Sequence, residues 1–486
     1  MLNNKCLINH KPITQLTKNM NTDFFILMKP ELSITLIIFI LLTLKVWDGI
    51  KENSTFIHLT NFLLLINFAI GFIGNASGSL FSGMYHASNL LSLEKNILNF
   101  GTLIISLQAI DWIKNHKHVV EFYILLLTTL LGMQFMISSG NFLMFYLGLE
   151  LASIPLAAIV NFDLEKLKSS EAGVKMILSS AFASCMMLFG ISMLYGTTGT
   201  VNFAELPQLI TGGSLQIMSL IFVFTGFAFK LSAVPFHLWT ADVYEGAPVP
   251  VTAYLSVISK AAIVFVFISI LSPLFVNVQQ VWYNMLSLTI VLTITVGNLF
   301  AIRQNNIKRF LAFSSISQVG FILLGISSGT SMGVTASIYF LIVYIFSNLG
   351  AFGVIALVSA HAEKENISDY KAFYKNNKTL SWIITISLFS LAGIPPTAGF
   401  FGKMFLVSAG ASKGNYVLVI IAALNMVVSL YYYLRVVKAI FVDENPEPIE
   451  KIEGSVFTKA ALYVCMAGII LTGFASVLYD YINSLM

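Results

Sequence analysis

The chain has 486 residues, of which 57% are hydrophobic and only 10% are charged, and its formal net charge at pH 7 is +4. Soluble domains carry roughly 25% charged residues, so this composition excludes an ordinary soluble protein and indicates a membrane protein. The small net charge gives no reason to expect a nucleic-acid partner. The three cysteines, Cys6, Cys185 and Cys465, form no CxxC pair or Cys/His cluster. Their spacing argues against a disulfide framework, a zinc site or a protein-ligated iron–sulfur cluster.

The first segment of the chain, residues 1–30, is predicted to be a polar N-terminal extension, because it is rich in Asn and Lys and lacks the apolar core of a signal peptide. Beyond it, hydropathy divides the sequence into about fourteen stretches close to the ~20 residues that a bilayer core requires. We therefore predict an all-α polytopic membrane protein with spans near 31–47, 56–74, 96–113, 121–138, 141–161, 171–195, 215–241, 250–273, 281–302, 308–327, 333–360, 379–409, 414–441 and 460–483.

Two of the predicted spans are long and broken. The seventh span contains Pro235, and the twelfth contains Pro395 and Pro396 flanked by glycines; proline removes a helical hydrogen bond and crowds the preceding turn. Broken helices at corresponding positions of two halves point to an internal repeat. We therefore predict two inverted five-helix repeats, each with a broken helix, within a chain divided into a three-helix segment (31–120), a first repeat (121–273), a second repeat (281–441) and a last span (460–483).

The lysines and arginines of the loops predict the orientation in the membrane. Odd-numbered loops carry most of them, whereas even-numbered loops offer little beyond Lys95 and Lys413. By the positive-inside rule, the odd-numbered loops face the cytoplasm and both chain termini lie on the extracytoplasmic side. The loop pattern favours a bacterial inner membrane.

Four ionisable residues are predicted deep inside apolar spans: Glu150, Lys230, Lys260 and Lys403. Lys260 lies about 15 Å from either end of its span at 1.5 Å per residue, too far for its side chain to reach water. Each such group costs roughly 2.5–3.5 kcal/mol to insert. Structural ion pairing would explain one of them, but four at a common depth favour a functional site.

Lysine at this depth suits proton exchange for a physical reason. Burial disfavours the charged form of the amine, and a neighbouring carboxylate favours it. A lysine whose carboxylate partner approaches and withdraws can therefore bind and release a proton. The broken helices add freed backbone groups at membrane depth, which must line water or protein. We interpret Glu150, Lys230, Lys260 and Lys403 as candidate proton-transfer residues.

Secondary candidates have simpler alternatives. His237 follows the Pro235 break and could relay protons between the lysines, although a lone histidine is as often a packing residue. Glu171 and Lys175 are spaced i, i+4, which also fits a plain ion pair on one helix face. Asp242, with Glu245 beside it, could take up protons or could lie in a solvated loop.

Four stretches carry a family resemblance. They are FKLSAVPFHLWTADVYEGAPVPVTAYLSVISKAA (229–262), IKRFLAFSSISQVGF (307–321), SLAGIPPTAGFFGKMFL (390–406) and YYYLRVVKAIF (431–441). Together they resemble the N-subunit family of respiratory complex I, the proton-pumping NADH:quinone oxidoreductase, across roughly residues 30–485. The resemblance implies that Glu150, Lys230, Lys260 and Lys403 are the family's proton-transfer residues, and that the chain is a subunit of an H⁺-translocating enzyme.

The resemblance also implies how chemistry is divided within the assembly. The chain contains no GxGxxG turn, no Walker loop and no paired-histidine span for haem, so it is expected to bind no metal and no cofactor. NADH, FMN, iron–sulfur clusters and a quinone would then belong to other subunits. The expected partners are other complex I membrane subunits, the lipid bilayer and protons. Two alternatives remain open: a subunit of an Mrp-type Na⁺/H⁺ antiporter, and a solute transporter.

Overall fold

The computed structural model describes residues 24–47, 52–74, 76–274, 276–474 and 476–486. Most of the predicted extension, residues 1–23, lies outside the described residues. Leu27 and Met28, at its end, pack in a small apolar cluster with Tyr85 and Ala87. The last part of the predicted extension therefore belongs to the folded helix bundle.

Helices account for nearly all regular structure in the described residues. They are α1 Lys29–Val46, α2 Asn53–Ile70, α3 Asn89–Gln108, α4 Val119–Ile137, α5 Phe142–Val160, α6 Leu167–Thr198, α7a Ser214–Leu231, α7b Leu238–Gly246, α8 Val249–Leu274, α9 Gln279–Ile302, α10 Ile307–Ser327, α11 Ser331–Ala362, α12a Lys378–Ala392, α12b Ala398–Ala411, α13 Tyr416–Phe441, α14 Val456–Phe474 and α15 Ser476–Ser484. Within the described residues, twelve helices are long and apolar enough to cross a membrane. With α1 and the pair α12a–α12b, this agrees with the prediction of about fourteen spans.

Short elements join these helices. A two-stranded antiparallel hairpin, β1 Gly78–Leu80 and β2 Tyr85–Ala87, pairs Gly78 with Ala87 between α2 and α3. Single helical turns occupy Ile110–Ile113 and Leu206–Leu209, and 3₁₀ turns occupy Phe81–Gly83, Val276–Val278, Ile367–Tyr370 and Phe373–Lys375.

The centre of the bundle is formed by α8, α10 and α11. In the 18-residue apolar stretch of each of these helices, the buried share of the residues is 83%, 100% and 89%, respectively. The same share is only 33% in α2, α13 and α14. The outer helices expose large apolar side chains such as Leu424 and Leu471, which is the surface that lipid covers. A charged side chain on α8 or α10 is therefore shielded from the bilayer by other helices.

The seventh and twelfth spans are interrupted at the predicted prolines. The C-cap residues of α7a and α12a, Ser232 and Gly393, have left-handed conformations with φ of 62° and 85°. Both interruptions close in the same way, since Ala233 N–H donates to Ala228 O and Ile394 N–H donates to Phe389 O. This 6→1 bond satisfies a terminal carbonyl and ends each half-helix cleanly.

A second correspondence joins the two predicted repeats. Asn141 caps α5 and forms a β-bridge with Asn202, while Asn306 caps α10 and forms a β-bridge with Asn366. The backbone hydrogen bonds beside the two bridges also match. In each pair, the N–H of the residue after the capping Asn donates to the carbonyl of the residue before its bridge partner. The N–H of the residue after the partner donates to the carbonyl of the residue before the capping Asn. The matching pattern supports the predicted repeat, whose inverted symmetry stays a prediction.

The eighth span departs from a regular α-helix. Two π-helical segments, Leu255–Ser259 and Phe267–Leu271, alternate with α-helical turns, and Lys260 directly follows the first of them. The sequence predicted an uninterrupted helix here. π-Helical turns in α-helices occur frequently at functional sites.

One residue used in the topology prediction is wrongly placed. Lys95 was assigned to an even-numbered loop, but it lies inside α3, is 2% exposed and forms an ion pair with Glu31. Polar residues at the start of α3 made the helix look like a loop, and the tertiary ion pair accounts for their burial. Without Lys95, the even-numbered loops carry still fewer basic residues than the odd-numbered loops, and this difference is the basis of the predicted orientation.

Candidate functional site

Lys230 lies in the last turn of α7a and is 8% exposed. Its amine donates to Ser153 Oγ on α5 at 2.6 Å and to Ser180 Oγ on α6 at 2.7 Å. The α7a break therefore holds the amine between two neighbouring helices. Sequence reasoning missed both serines, because small polar residues are common in membrane helices and have no distinctive pattern.

Glu150 lies on α5, three residues before Ser153, and interacts electrostatically with Lys230. Among the ion pairs of the described residues, none within 4.0 Å joins these two side chains. Glu150 Oε1 is buried and has no hydrogen-bond partner in the described part of the chain. The carboxylate thus interacts with Lys230 without a direct ion pair between the two described side chains.

Lys260 is buried at the centre of the bundle and is 2% exposed. Its amine donates to Ser315 Oγ on α10 at 2.8 Å and lies 5.7 Å from the centroid of the Tyr244 ring. Nearby, Ser256 Oγ contacts Tyr344 OH at 3.1 Å. The amine's contacts are a hydroxyl and an aromatic ring, and no ion pair of the described residues includes Lys260.

Lys403 is fully buried one turn into α12b. Its amine donates to Leu391 O at 2.7 Å and Ala392 O at 3.2 Å, and it lies 5.0 Å from the centroid of the Phe321 ring. These carbonyls end α12a, where the interruption leaves them without helical partners and where the helix dipole is negative. The broken helix therefore supplies the site that holds the Lys403 amine.

A hydrogen-bonded series extends from Lys403 along α10. Gln318 Nε2 donates to Leu391 O, which also accepts from Lys403, and to Tyr433 OH, both at 3.0 Å. Tyr433 OH contacts Ser314 Oγ at 2.5 Å. Since Ser315 accepts from Lys260 and Gln318 shares Leu391 O with Lys403, α10 contributes polar side chains to both lysine sites.

His237 lies in the α7 interruption between Lys230 and Lys260 in the chain. It is 7% exposed, and neither ring nitrogen has a hydrogen-bond partner among the described residues. The side-chain oxygens of Ser232, Thr240 and Tyr244 are likewise buried and unpartnered there. Buried polar atoms of this kind normally bind internal water, so the segment between the two lysines has the chemistry of a hydrated passage.

The remaining candidates form an ion-pair network where α6, α7b and α10 meet. Lys175 pairs with Glu171 at 2.7 Å and with Asp242 at 2.6 Å. Arg309 joins Asp242 at 2.6 Å and Glu245 at 3.0 Å. These residues line a cavity of about 90 Å³. Glu171, Lys175 and Asp242 therefore act as one network at the surface of the bundle, apart from the buried lysines.

Metal-ligating residues are not clustered. In the described part of the chain, no group of three or more His, Cys, Asp and Glu side chains is arranged to hold a metal ion.

Comparison with known proteins gives one consistent family. Residues 139–429 match the family model described as NADH:quinone oxidoreductase/Mrp antiporter, transmembrane. The chain is 50% identical over 410 residues to NADH-quinone oxidoreductase subunit N of Phocaeicola vulgatus, covering 83% of this chain and 87% of the relative. It is 34% identical over 437 residues to the subunit N of Paramagnetospirillum magneticum, covering 87% and 89%.

Solved structures share the fold. A chain of respiratory complex I from Thermus thermophilus superposes with a TM-score of 0.79 at 25% identity, covering 91% of this chain and 96% of that one. A chain of the Mrp complex from Dietzia sp. superposes with a TM-score of 0.82 at 20% identity, covering 94% and 96%. The second likeness concerns the fold alone.

Proposed function

Because the chain belongs to the subunit N branch of the NADH:quinone oxidoreductase/Mrp antiporter family, we propose that it translocates protons as a membrane-arm subunit of NADH:quinone oxidoreductase. The observation that carries the proposal is the burial of Lys230, Lys260 and Lys403 without an ion-pair partner in the described residues. Electron transfer from NADH to quinone takes place in other subunits, and this chain moves protons in response.

The three lysines differ in what stabilises their charge. Lys230 has a nearby carboxylate, Glu150, whereas Lys403 is held by the carbonyls that end α12a. Coulomb coupling between unit charges at about 6 Å and an effective dielectric near 20 is roughly 3 kcal/mol. A movement of Glu150 toward or away from Lys230 is therefore enough to switch that lysine between its protonated and neutral forms.

The proposed route runs along the membrane midplane. From Lys230 it crosses the unpartnered polar groups of the α7 interruption, including His237, to Lys260. From there it follows Ser314, Tyr433 and Gln318 to Lys403. Water fills the gaps between side chains that do not bond directly, because unpartnered buried polar atoms are costly when dry. In this scheme His237 is a relay, and the network of Glu171, Lys175 and Asp242 supplies protons from the surface.

The assembly provides the chemistry that this chain lacks. NADH, FMN, iron–sulfur clusters and quinone are bound by partner subunits, and neighbouring membrane-arm subunits contact this chain in the bilayer. The assembly lies in a bacterial inner membrane, with both termini of this chain on the extracytoplasmic side. The distribution of lysine and arginine in the loops supports that orientation.

The two alternatives have less support. The Mrp likeness is structural, at 20% identity, whereas the relatives at 34–50% identity are complex I subunits. A solute transporter would need polar groups that converge on one substrate pocket, but the lysines of this chain are held on three helices by three different sets of partners.

Proton pumping in vesicles that contain the intact complex tests the proposal. Lys230→Ala, Lys260→Ala and Lys403→Ala should each lower pumping, and the corresponding Arg variants should do the same, because arginine does not release its proton. NADH oxidation by an artificial acceptor that takes electrons near the flavin should remain normal. Lys413→Ala, which removes an exposed loop lysine, is the matched control. Normal pumping by a variant that lacks all three buried lysines would refute the proposal.

A further inference from the structure

A second group of buried charges lies in the three-helix segment, outside the proposed lysine route. Lys95 on α3 and Glu31 on α1 form an ion pair at 2.6 Å, with side chains 3% and 1% exposed. Tyr85 OH, from the β1–β2 hairpin, donates to Glu31 Oε2 at 3.0 Å and accepts from Lys95 at 3.1 Å. Charges taken this far from water mark functional sites in membrane proteins.

Glu94, next to Lys95, is the most unusual group of this segment. It is 0% exposed, and neither carboxyl oxygen has a hydrogen-bond partner among the described residues. A carboxyl group in that position is held as the neutral acid or is solvated by internal water. Either state leaves Glu94 able to exchange a proton, and no hydrogen bond of the described residues gives it a structural role.

Polar side chains continue from this pair along one face of α3. Lys95, Asn99 and Thr102 are spaced i, i+4 and i+7, so they lie on the same side of the helix. Gln134 Nε2 on α4 donates to Asn99 Oδ1 at 3.0 Å, and Gln134 Oε1 is buried without a partner in the described residues. We call this set, together with Thr129 of α4, the N-terminal polar column: Glu31, Tyr85, Lys95, Asn99, Thr102, Gln134 and Thr129.

The column reaches the helix that carries Lys260. Thr129 Oγ1 on α4 contacts Tyr254 OH at 2.7 Å, and Tyr254 is a fully buried residue of α8. The same helix continues through the π-helical segment to Lys260. At its other end, the column meets the β1–β2 hairpin at Tyr85. Its two ends are therefore the Lys260 helix and one face of the membrane protein.

We propose that Glu94 and the Glu31–Lys95 pair form an additional proton-exchange site, and that the N-terminal polar column connects it to the Lys260 helix at Tyr254. The inference rests on the proposed function, since it adds a branch to the same proton route. The branch opens on the side of the membrane where the β1–β2 hairpin lies.

Two single substitutions in the intact complex, reconstituted in proteoliposomes, test the branch. Glu94→Gln keeps the shape of the side chain but removes its exchangeable acid proton, and Tyr254→Phe removes one hydroxyl while leaving every charge in place. Each should cause a partial loss in the number of protons translocated per NADH oxidised, and not its abolition, because the main route persists. Acceptor-linked NADH oxidation and thermal stability should stay unchanged.

Glu121→Gln is the matched control, because Glu121 is a partly exposed carboxylate at the start of α4, paired with Lys45. If Glu94→Gln does not assemble, Tyr254→Phe decides the outcome. A normal proton ratio in every assembled variant would overturn the branch, while the Lys403→Ala result would separately decide the proposed function. A paired substitution, Glu31→Gln with Lys95→Met, should assemble better than either single change, since it leaves no unpaired buried charge, and should still pump less.

Discussion

Replacing Gly399 by alanine should disable the Lys403 site without touching any charged group. A Cβ at Gly399 would lie 1.7 Å from Ser390 O and 2.6 Å from Ser390 C. Both contacts are backbone atoms of α12a, which do not rotate away as a side chain would. To reach the 3.4 Å of ordinary contact, α12b must move away from the end of α12a by about 1.7 Å.

That movement has a cost that follows from the contacts it breaks. Lys403 lies one turn beyond Gly399 and donates to Leu391 O at 2.7 Å and Ala392 O at 3.2 Å. A shift of this size takes the amine out of hydrogen-bonding range of both carbonyls. Overpacking typically costs about 1–3 kcal/mol, and each lost bond to a charged group adds roughly 1.5–3 kcal/mol. We expect destabilisation of about 4 kcal/mol or more, the sum of the lower ends of these ranges.

The assay compares the purified complex with two glycine variants. Gly399→Ala should lower the temperature of thermal inactivation and reduce proton pumping. Gly196→Ala is the control, because a Cβ there meets nothing within 4 Å and alanine favours a helix by up to about 1 kcal/mol. Equal stability and equal pumping in the two variants would refute the role assigned to the close approach of α12a and α12b.

Three further predictions follow from contacts outside the buried lysines. Asp111→Ala should lower thermal stability by about 1–2 kcal/mol, because its carboxylate accepts from Ser455 N–H at the start of α14; unchanged unfolding would contradict this. Asn141→Ala and Asn306→Ala should cost about 1 kcal/mol each, and clearly unequal losses in a thermal assay would argue against their equivalence. Burial lowers the pKa of His116 below 6.5, with Asp163 opposing it, so stability should fall as pH drops below about 6.5; His116→Gln should show a smaller fall in a pH series of melting temperatures.

The sequence predicted the features that depend on local chemistry. Charges within apolar runs predicted the burial of Lys230, Lys260 and Lys403, and Pro235, Pro395 and Pro396 predicted the interruptions. Each of these signals is strong, because charge and proline are both costly inside a membrane helix.

What the sequence could not predict depends on distant partners. Ser153 and Ser180 hold Lys230 from two other helices, and their residue type occurs throughout the chain. Lys95 looked like a loop residue because Glu31, its partner, lies 64 positions earlier. The carbonyls that bind Lys403 belong to the backbone, so no side chain could have indicated them. The partners of Lys230, Lys95 and Lys403 are therefore determined by tertiary contacts, which local sequence propensity does not reveal.

The π-helical segment before Lys260 makes the direction of this side chain depend on the local helix geometry. A π turn holds one residue more than an α turn, so a change of Leu255–Ser259 into a regular α-helix with every residue kept would alter the phase of the helix beyond it. The two ends of α8 would then be rotated by about 100° relative to one another, one residue's turn of a 3.6-residue helix. Lys260 would no longer point at Ser315 while Tyr254 faced Thr129. A change between π and α geometry in this segment would therefore uncouple the two contacts without replacing any residue.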